Sequence, residues 1–211
     1  MDIDEVLAGG APPIMAILRG VEPAQAVAIG AALVEQGIRL IEVPLNSPDP
    51  FASIRLLQEA YGAVAGVGAG TVVDAQAVRQ LAATGATLMV SPHTDPALIA
   101  LGLAHGLQPM PGFLTPGEAL AAIGAGARRL KLFPATAFTP AYVRAIREVV
   151  PKAVEIWAVG GTGATNLRDW LDAGSRGIGV GGALYRPGDT ASVVGSRARE
   201  LVAAWRAAVR G

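Results

Sequence analysis

Short, almost unbroken apolar runs alternate along this chain with longer Ala- and Leu-rich stretches whose apolar residues recur at helical spacing. The first texture predicts strands at Pro13–Gly20, Leu40–Asn46, Val64–Thr71, Thr87–Pro92, Leu107–Phe113, Arg129–Pro134, Glu155–Gly161 and Gly177–Leu184. The second predicts helices at Pro23–Gln36, Pro50–Tyr61, Ala75–Thr84, Pro96–His105, Pro116–Ala125, Pro140–Val150, Ala164–Ala173 and Ala191–Val209, with a short helix at Ile3–Ala8 ahead of them. Pro23, Pro96, Pro116 and Pro140 stand where a first helical turn begins, a position whose N–H has no helical partner to lose. Asp74, Asp95, Thr115 and Thr139 are the candidate N-caps. The strand runs are continuous rather than alternating, as expected where both faces of a sheet are covered.

Eight strand-then-helix units without a linker-like or low-complexity segment predict an α/β fold, a (β/α)8 TIM barrel with a short N-terminal helix. An open, doubly wound sheet is the alternative. The 211 residues suit one such barrel, so residues 1–211 are expected to form a single domain. Hydrophobic residues at 52% supply a large core.

Charge narrows the possible partners. The 17 basic and 17 acidic residues cancel and form no long run, which argues against a nucleic-acid or membrane-surface role and leaves room for a local anion pocket. No cysteine is present, so disulfides, thiolate catalysis and thiolate-bound metals are excluded, consistent with an intracellular protein. The acidic start, Met1-Asp-Ile-Asp-Glu5, lacks the pattern of a signal peptide, and the apolar runs fall short of the ~20 residues that span a bilayer. A cytoplasmic location is expected.

Two of the 17 basic side chains are lysines. Lys152 follows Pro151 in a polar break. Lys131 lies inside a strand, in Arg128-Arg-Leu-Lys-Leu-Phe-Pro134. Burial disfavours the ammonium form and lowers the pKa, which makes an amine nucleophilic enough for imine formation with a ketone. The same position also suits a structural lysine paired with a buried carboxylate, or one whose head reaches the barrel rim. Glu42, in Leu40-Ile-Glu-Val-Pro-Leu-Asn46, is the matching charge on the second strand. Inward layers of a barrel come from alternate strands, so the second and sixth can share one. Glu42 then serves either as a general acid/base or as a salt-bridge partner.

Glycine-rich strand ends, Ala158-Val-Gly-Gly-Thr162 and Gly179-Val-Gly-Gly-Ala183, close the seventh and eighth strands. Bare backbone N–H groups after those two strands often bind phosphate in barrels, although glycine pairs also serve tight turns. Arg19, at the end of the first strand, can fork onto a carboxylate or lie on the surface. Thr71 can offer a hydroxyl to a ligand or cap the next helix. His93 and His105 have no carboxylate cluster at ligand spacing, so no metal site is expected.

Together these segments resemble the 2-keto-3-deoxy-6-phosphogluconate and -galactonate aldolase family, from Ile14 to about Arg206. The most specific pieces are Ile41-Glu-Val, Gly68-Ala-Gly-Thr, Lys131-Leu-Phe-Pro, Val159-Gly-Gly and Gly179-Val-Gly-Gly. The resemblance implies a class I aldolase acting on a 2-keto-3-deoxy sugar acid phosphate, with Lys131 forming the Schiff base and Glu42 transferring protons. It places Arg19, Asn46, Thr71, Pro92, Phe133 and Val159 around the substrate, and Gly160, Gly161, Gly181, Gly182 and Ala183 around the phosphate. It also implies no cofactor, no metal and a homotrimer. Asn46 and Val159 stand where the gluconate branch commonly carries arginine and threonine, which draws the chain toward the galactonate branch. Gly182 replaces a serine frequent in relatives, which removes one hydroxyl contact to phosphate. The nearest alternative is the same chemistry on the gluconate epimer or on 4-hydroxy-2-oxoglutarate; a phosphate-binding barrel isomerase or epimerase and a non-catalytic sugar-phosphate binder are the readings from other classes.

Overall fold

A computed structural model describes residues 1–210. Helix α1 (Ile3–Ala8) precedes strand β1 (Ile14–Ile17), and the two textures then alternate. They run α2 (Pro23–Glu35), β2 (Leu40–Pro44), α3 (Pro50–Tyr61), β3 (Gly66–Gly70), α4 (Ala75–Ala82), β4 (Leu88–Val90) and α5 (Pro96–Ala104). The second half holds β5 (Gln108–Met110), β6 (Gly112–Phe113), α6 (Pro116–Gly124), β7 (Arg129–Leu132), a 3-10 turn at Ala135–Ala137 and α7 (Pro140–Ile146). It ends with β8 (Glu155–Val159), α8 (Leu167–Asp172), β9 (Gly177–Val180) and α9 (Ala191–Arg210).

Every strand pair is parallel, and the order is β5-β4-β3-β2-β1-β9-β8-β7-β6. The fifth predicted strand is therefore two pieces, β5 on β4 and β6 on β7, parted at Pro111. Pro109 and Pro111 have no N–H to give the ladder, so the strand cannot pair continuously. The Pro111 carbonyl still accepts from the Lys131 N–H at 2.8 Å, and the barrel nearly closes through this broken strand. The expected barrel is found, with the extra break as its one irregularity.

The core divides by strand parity. Ile14 and Ala16, Ile41 and Val43, and Leu130 and Leu132 face the helices in the larger apolar cluster. Met15, Leu40, Leu88, Val90, Met110 and Trp157 face inward, and Ile3 and Val6 of α1 pack against them. Inward glycines make room for the larger side chains. A Cβ on Gly177 would lie 2.8 Å from the Trp157 ring and 2.2 Å from the Pro13 carbonyl.

The caps mostly follow the sequence. Asp74 accepts from the Ala77 N–H, Asp95 from Ala97 and Leu98, and Thr115 forms a capping box with Glu118. Thr139 sits at the N-cap of α7 but makes no side-chain cap bond. Helix α8 begins at Leu167, not at the expected Ala164. The Asn166 side chain holds the preceding residues as a loop instead, accepting from Gly163 N–H at 3.0 Å and donating to the Gly161 carbonyl at 2.9 Å. No helix among the described residues is long and apolar enough to cross a membrane.

Candidate active site at the C-terminal ends of the strands

Parity decides where the two unusual charges go. Leu130 and Leu132 pack toward the helices, so Lys131 between them points into the barrel; Glu42, between Ile41 and Val43, does the same. Lys131 is 5% exposed and Glu42 1%. Burial lowers the Lys131 pKa below its ordinary 10.5; the Glu42 charge opposes the shift and the Arg19 charge adds to it. Burial raises the Glu42 pKa above 4.5 against the pull of Lys131 and Arg19. Lys131 and Glu42 thus share the barrel interior, while Arg19 is exposed.

They do not form a closed salt bridge. The ion pairs among the described residues belong to Arg129, Arg168, Arg176 and Arg197. The Lys131 ammonium instead lies 4.5 Å from the Phe133 ring centroid, where the ring face offers partial compensation. Glu42 Oε2 is buried and accepts no hydrogen bond. A buried carboxylate oxygen without a donor costs stability, and a catalytic role is one reason such a group is kept.

Gly70 shapes this carboxylate's seat. In the parallel register Glu42 pairs with Gly68 and Pro44 with Gly70, so all four share the inward parity. A Cβ on Gly70 would lie 2.1 Å from Glu42 Oε2 and 2.6 Å from its carboxyl carbon. Only glycine leaves the space that the carboxylate occupies. Gly70→Ala is expected to displace the group by about an ångström and lower kcat about 10²-fold, with KM changed far less. Steady-state kinetics on the folded variant checks this, and an unchanged kcat would remove Gly70 from the argument.

At the rim, Arg19 Nη1 donates to Asn46 Oδ1 at 2.6 Å. Both line a cleft of about 270 Å³ that also contains Gly181, Gly182 and Arg186. A neighbouring cavity of about 310 Å³ is lined by Gly161, Thr162, Gly181, Gly182 and Ala183. Gly160 and Gly161 have φ values of +104° and +71°, a left-handed backbone that favours glycine. The Thr162 hydroxyl donates to the Gly179 carbonyl at 2.6 Å and ties the two glycine-rich strand ends together. No protein acceptor among the described residues takes the N–H groups of Gly161, Gly182 or Ala183.

Not every predicted site residue lines these spaces. Val159 is buried on the inward face, against the space a Gly179 Cβ would fill. Pro92 lies just past β4, and its carbonyl lies 2.3 Å from where a Gly112 Cβ would stand. Gly160 turns against Pro134 and Ala135 rather than into either cavity. Thr71 follows β3 with φ 58°, and Asp74, not Thr71, caps α4. No cluster of three or more His, Asp or Glu side chains suited to a metal occurs among the described residues.

A family model described as KDPG and KHG aldolase matches residues 3–192. The chain belongs to this aldolase family. It is 46% identical over 199 residues to a probable 2-dehydro-3-deoxy-6-phosphogalactonate aldolase of Rhizobium meliloti (strain 1021), with 94% of each chain covered. It is 40% identical to the 2-dehydro-3-deoxy-6-phosphogalactonate aldolase of Escherichia coli (strain K12), covering 94% of this chain and 97% of the relative. Among solved structures, one titled "Native KDPGal structure" superimposes with a TM-score of 0.93 at 40% identity, over 94% of this chain and 97% of that one. Membership makes this aldolase a carbon–carbon lyase.

In this aldolase the sequence pattern had pointed to Gly68-Ala-Gly-Thr71 but singled out only Thr71. The consequential residue is Gly70, and the signal is its position two residues beyond the strand partner of Glu42. Thr162, Asn166 and Arg186 also escape sequence inspection, because their roles depend on which backbone carbonyls lie within reach.

Proposed function

We propose that the protein is a class I aldolase that cleaves 2-dehydro-3-deoxy-6-phosphogalactonate to pyruvate and glyceraldehyde 3-phosphate, in galactonate breakdown. The observation that carries the reading is Lys131, an amine desolvated inside the barrel next to the unpartnered carboxylate of Glu42. Lys131 attacks the C2 ketone, and Glu42 assists loss of water to give the protonated imine. The imine withdraws electrons while Glu42, directly or through a water, takes the C4 hydroxyl proton. The C3–C4 bond breaks, its electrons pass into the enamine, and the phosphorylated aldehyde leaves. The enamine is then protonated at C3 and hydrolysed to pyruvate, which frees the lysine.

Arg19 and Asn46, with Thr71, Pro92 and Phe133, are assigned to the keto-acid end. Val159 borders the C4 centre at which the galactonate and gluconate epimers differ. The backbone N–H groups around Gly160, Gly161, Gly181, Gly182 and Ala183 are assigned to the phosphate. The whole chain acts as one barrel domain in this reading, as a cytoplasmic homotrimer that needs no cofactor. The likeness to galactonate-named relatives supports the choice of epimer.

The test is intact mass and peptide mapping after incubation with pyruvate and borohydride. A reduced pyruvate adduct on Lys131 is expected. Folded protein that forms no adduct at saturating pyruvate would overturn the imine mechanism in favour of an isomerase or a binding protein. Rates on the paired epimers, and on 4-hydroxy-2-oxoglutarate, decide the substrate.

A further inference from the structure

We propose that Arg186 is a phosphate-binding residue of this enzyme, taking the terminal phosphoryl group of the substrate alongside the N–H groups of the Gly181–Ala183 turn. The inference rests on the aldolase reading and adds a charged ligand to a site otherwise made of backbone.

Three observations carry it. Arg186 is exposed and lines the same cleft as Gly181 and Gly182. Its Nε donates to the Gly182 carbonyl at 2.9 Å, which tethers the guanidinium to the glycine turn, and no acceptor among the described residues takes either Nη group. No carboxylate pairs with it. Asp189, the acid nearest in sequence, accepts from the Arg186 backbone N–H at 2.8 Å and makes its ion pair with Arg197, acting on the Arg186 charge only without contact. A guanidinium held at one edge, with its other donors uncommitted, suits the two-point recognition of phosphate oxygens.

Position separates the two arginines of this cleft. Arg19 follows β1, and its Nη1 donates to Asn46, two residues past the strand that carries Glu42, which puts it at the reacting end assigned to the substrate carboxylate. Arg186 is held instead at the glycine turn after β9, which assigns it to the far end of an extended substrate. Gly182 strengthens the case. Nothing stands within 4 Å of the place a Cβ would occupy there, so the turn has open space and no side-chain donor of its own. The cation four residues later supplies what that residue lacks.

The experiment compares kcat/KM for the phosphorylated substrate with kcat/KM for its unphosphorylated analogue, in the wild type and in two variants. Arg186→Ala should reduce this ratio about 10- to 100-fold, the loss expected for a charge-assisted pair. Arg186→Gln keeps an amide donor for the Gly182 carbonyl without the charge, and the same fall is expected there. A ratio held within about twofold in the folded Gln variant would overturn the proposal and leave Arg186 as a support of the turn. The borohydride adduct with pyruvate is measured first on the wild type. If it fails, the aldolase reading fails and the Arg186 assignment falls with it; if it forms and the ratio holds, Arg186 alone is wrong.

Discussion

Lys131→Ala is expected to lose all measurable turnover together with the borohydride-trapped pyruvate adduct. The scheme runs every step through one nitrogen, so no partial function remains once it is gone. The fold should survive, because Lys131 makes no ion pair and Glu42, whose pKa burial already raises, can take up a proton once the cation is gone. Lys152 gives an internal control: it lies exposed in a turn and lacks the burial that activates Lys131. An adduct that persists in Lys131→Ala, or that maps to Lys152 in the wild type, would sink the assignment. The pH dependence adds a second readout. Only the neutral amine attacks, and burial shifts Lys131 below its ordinary 10.5. Adduct formation in the wild type should therefore rise with pH through that lowered pKa and level off clearly below pH 10.5. A rise that continues to the ordinary lysine range would mean that the amine is not activated.

Glu42→Gln is expected to lower kcat by about 10²–10⁴-fold, the usual worth of a positioned proton-transfer group. Glutamine has nearly the same shape and still fits above Gly70, so packing is kept while the proton carrier is lost. Two consequences separate this role from a structural one. Glutamine has no charge to desolvate but buries an amide NH2 where Glu42 Oε2 has no partner, so thermal stability should change little. The negative charge of Glu42 raises the Lys131 pKa against desolvation, so without it the adduct-forming pH profile should move to lower pH. Near-wild-type turnover in Glu42→Gln would reduce Glu42 to a structural partner of Lys131.

Several of these groups were visible in the sequence because they break a local rule. A lysine between leucines and a glutamate between isoleucine and valine contradict the apolar runs that contain them. Glycine pairs at the ends of the last two strands stood out in the same way. The helix starts were legible too, since proline in a first turn and Asp or Thr before it act through neighbouring backbone atoms alone. Thr139 marks the limit of that reasoning: the residue type suits a cap, but its hydroxyl makes no such bond.

What the sequence determined by itself, then, was the alternation of strand and helix and the presence of two charges inside apolar strands; because those runs are continuously apolar, which face of each strand turns inward was left to packing. These depend on a side chain and its immediate neighbours along the chain. The tertiary structure decided how the strands align. Register places Gly70 beneath the Glu42 carboxylate, and the two prolines of the fifth strand break it where the barrel closes. It also decided that Lys131 meets the Phe133 ring rather than a carboxylate, and that Arg186 is tied to Gly182 while Asp189 is taken by Arg197. Each of these turns on distances of a few ångströms between atoms of groups whose approach is set by packing and register, and no residue type specifies such a distance.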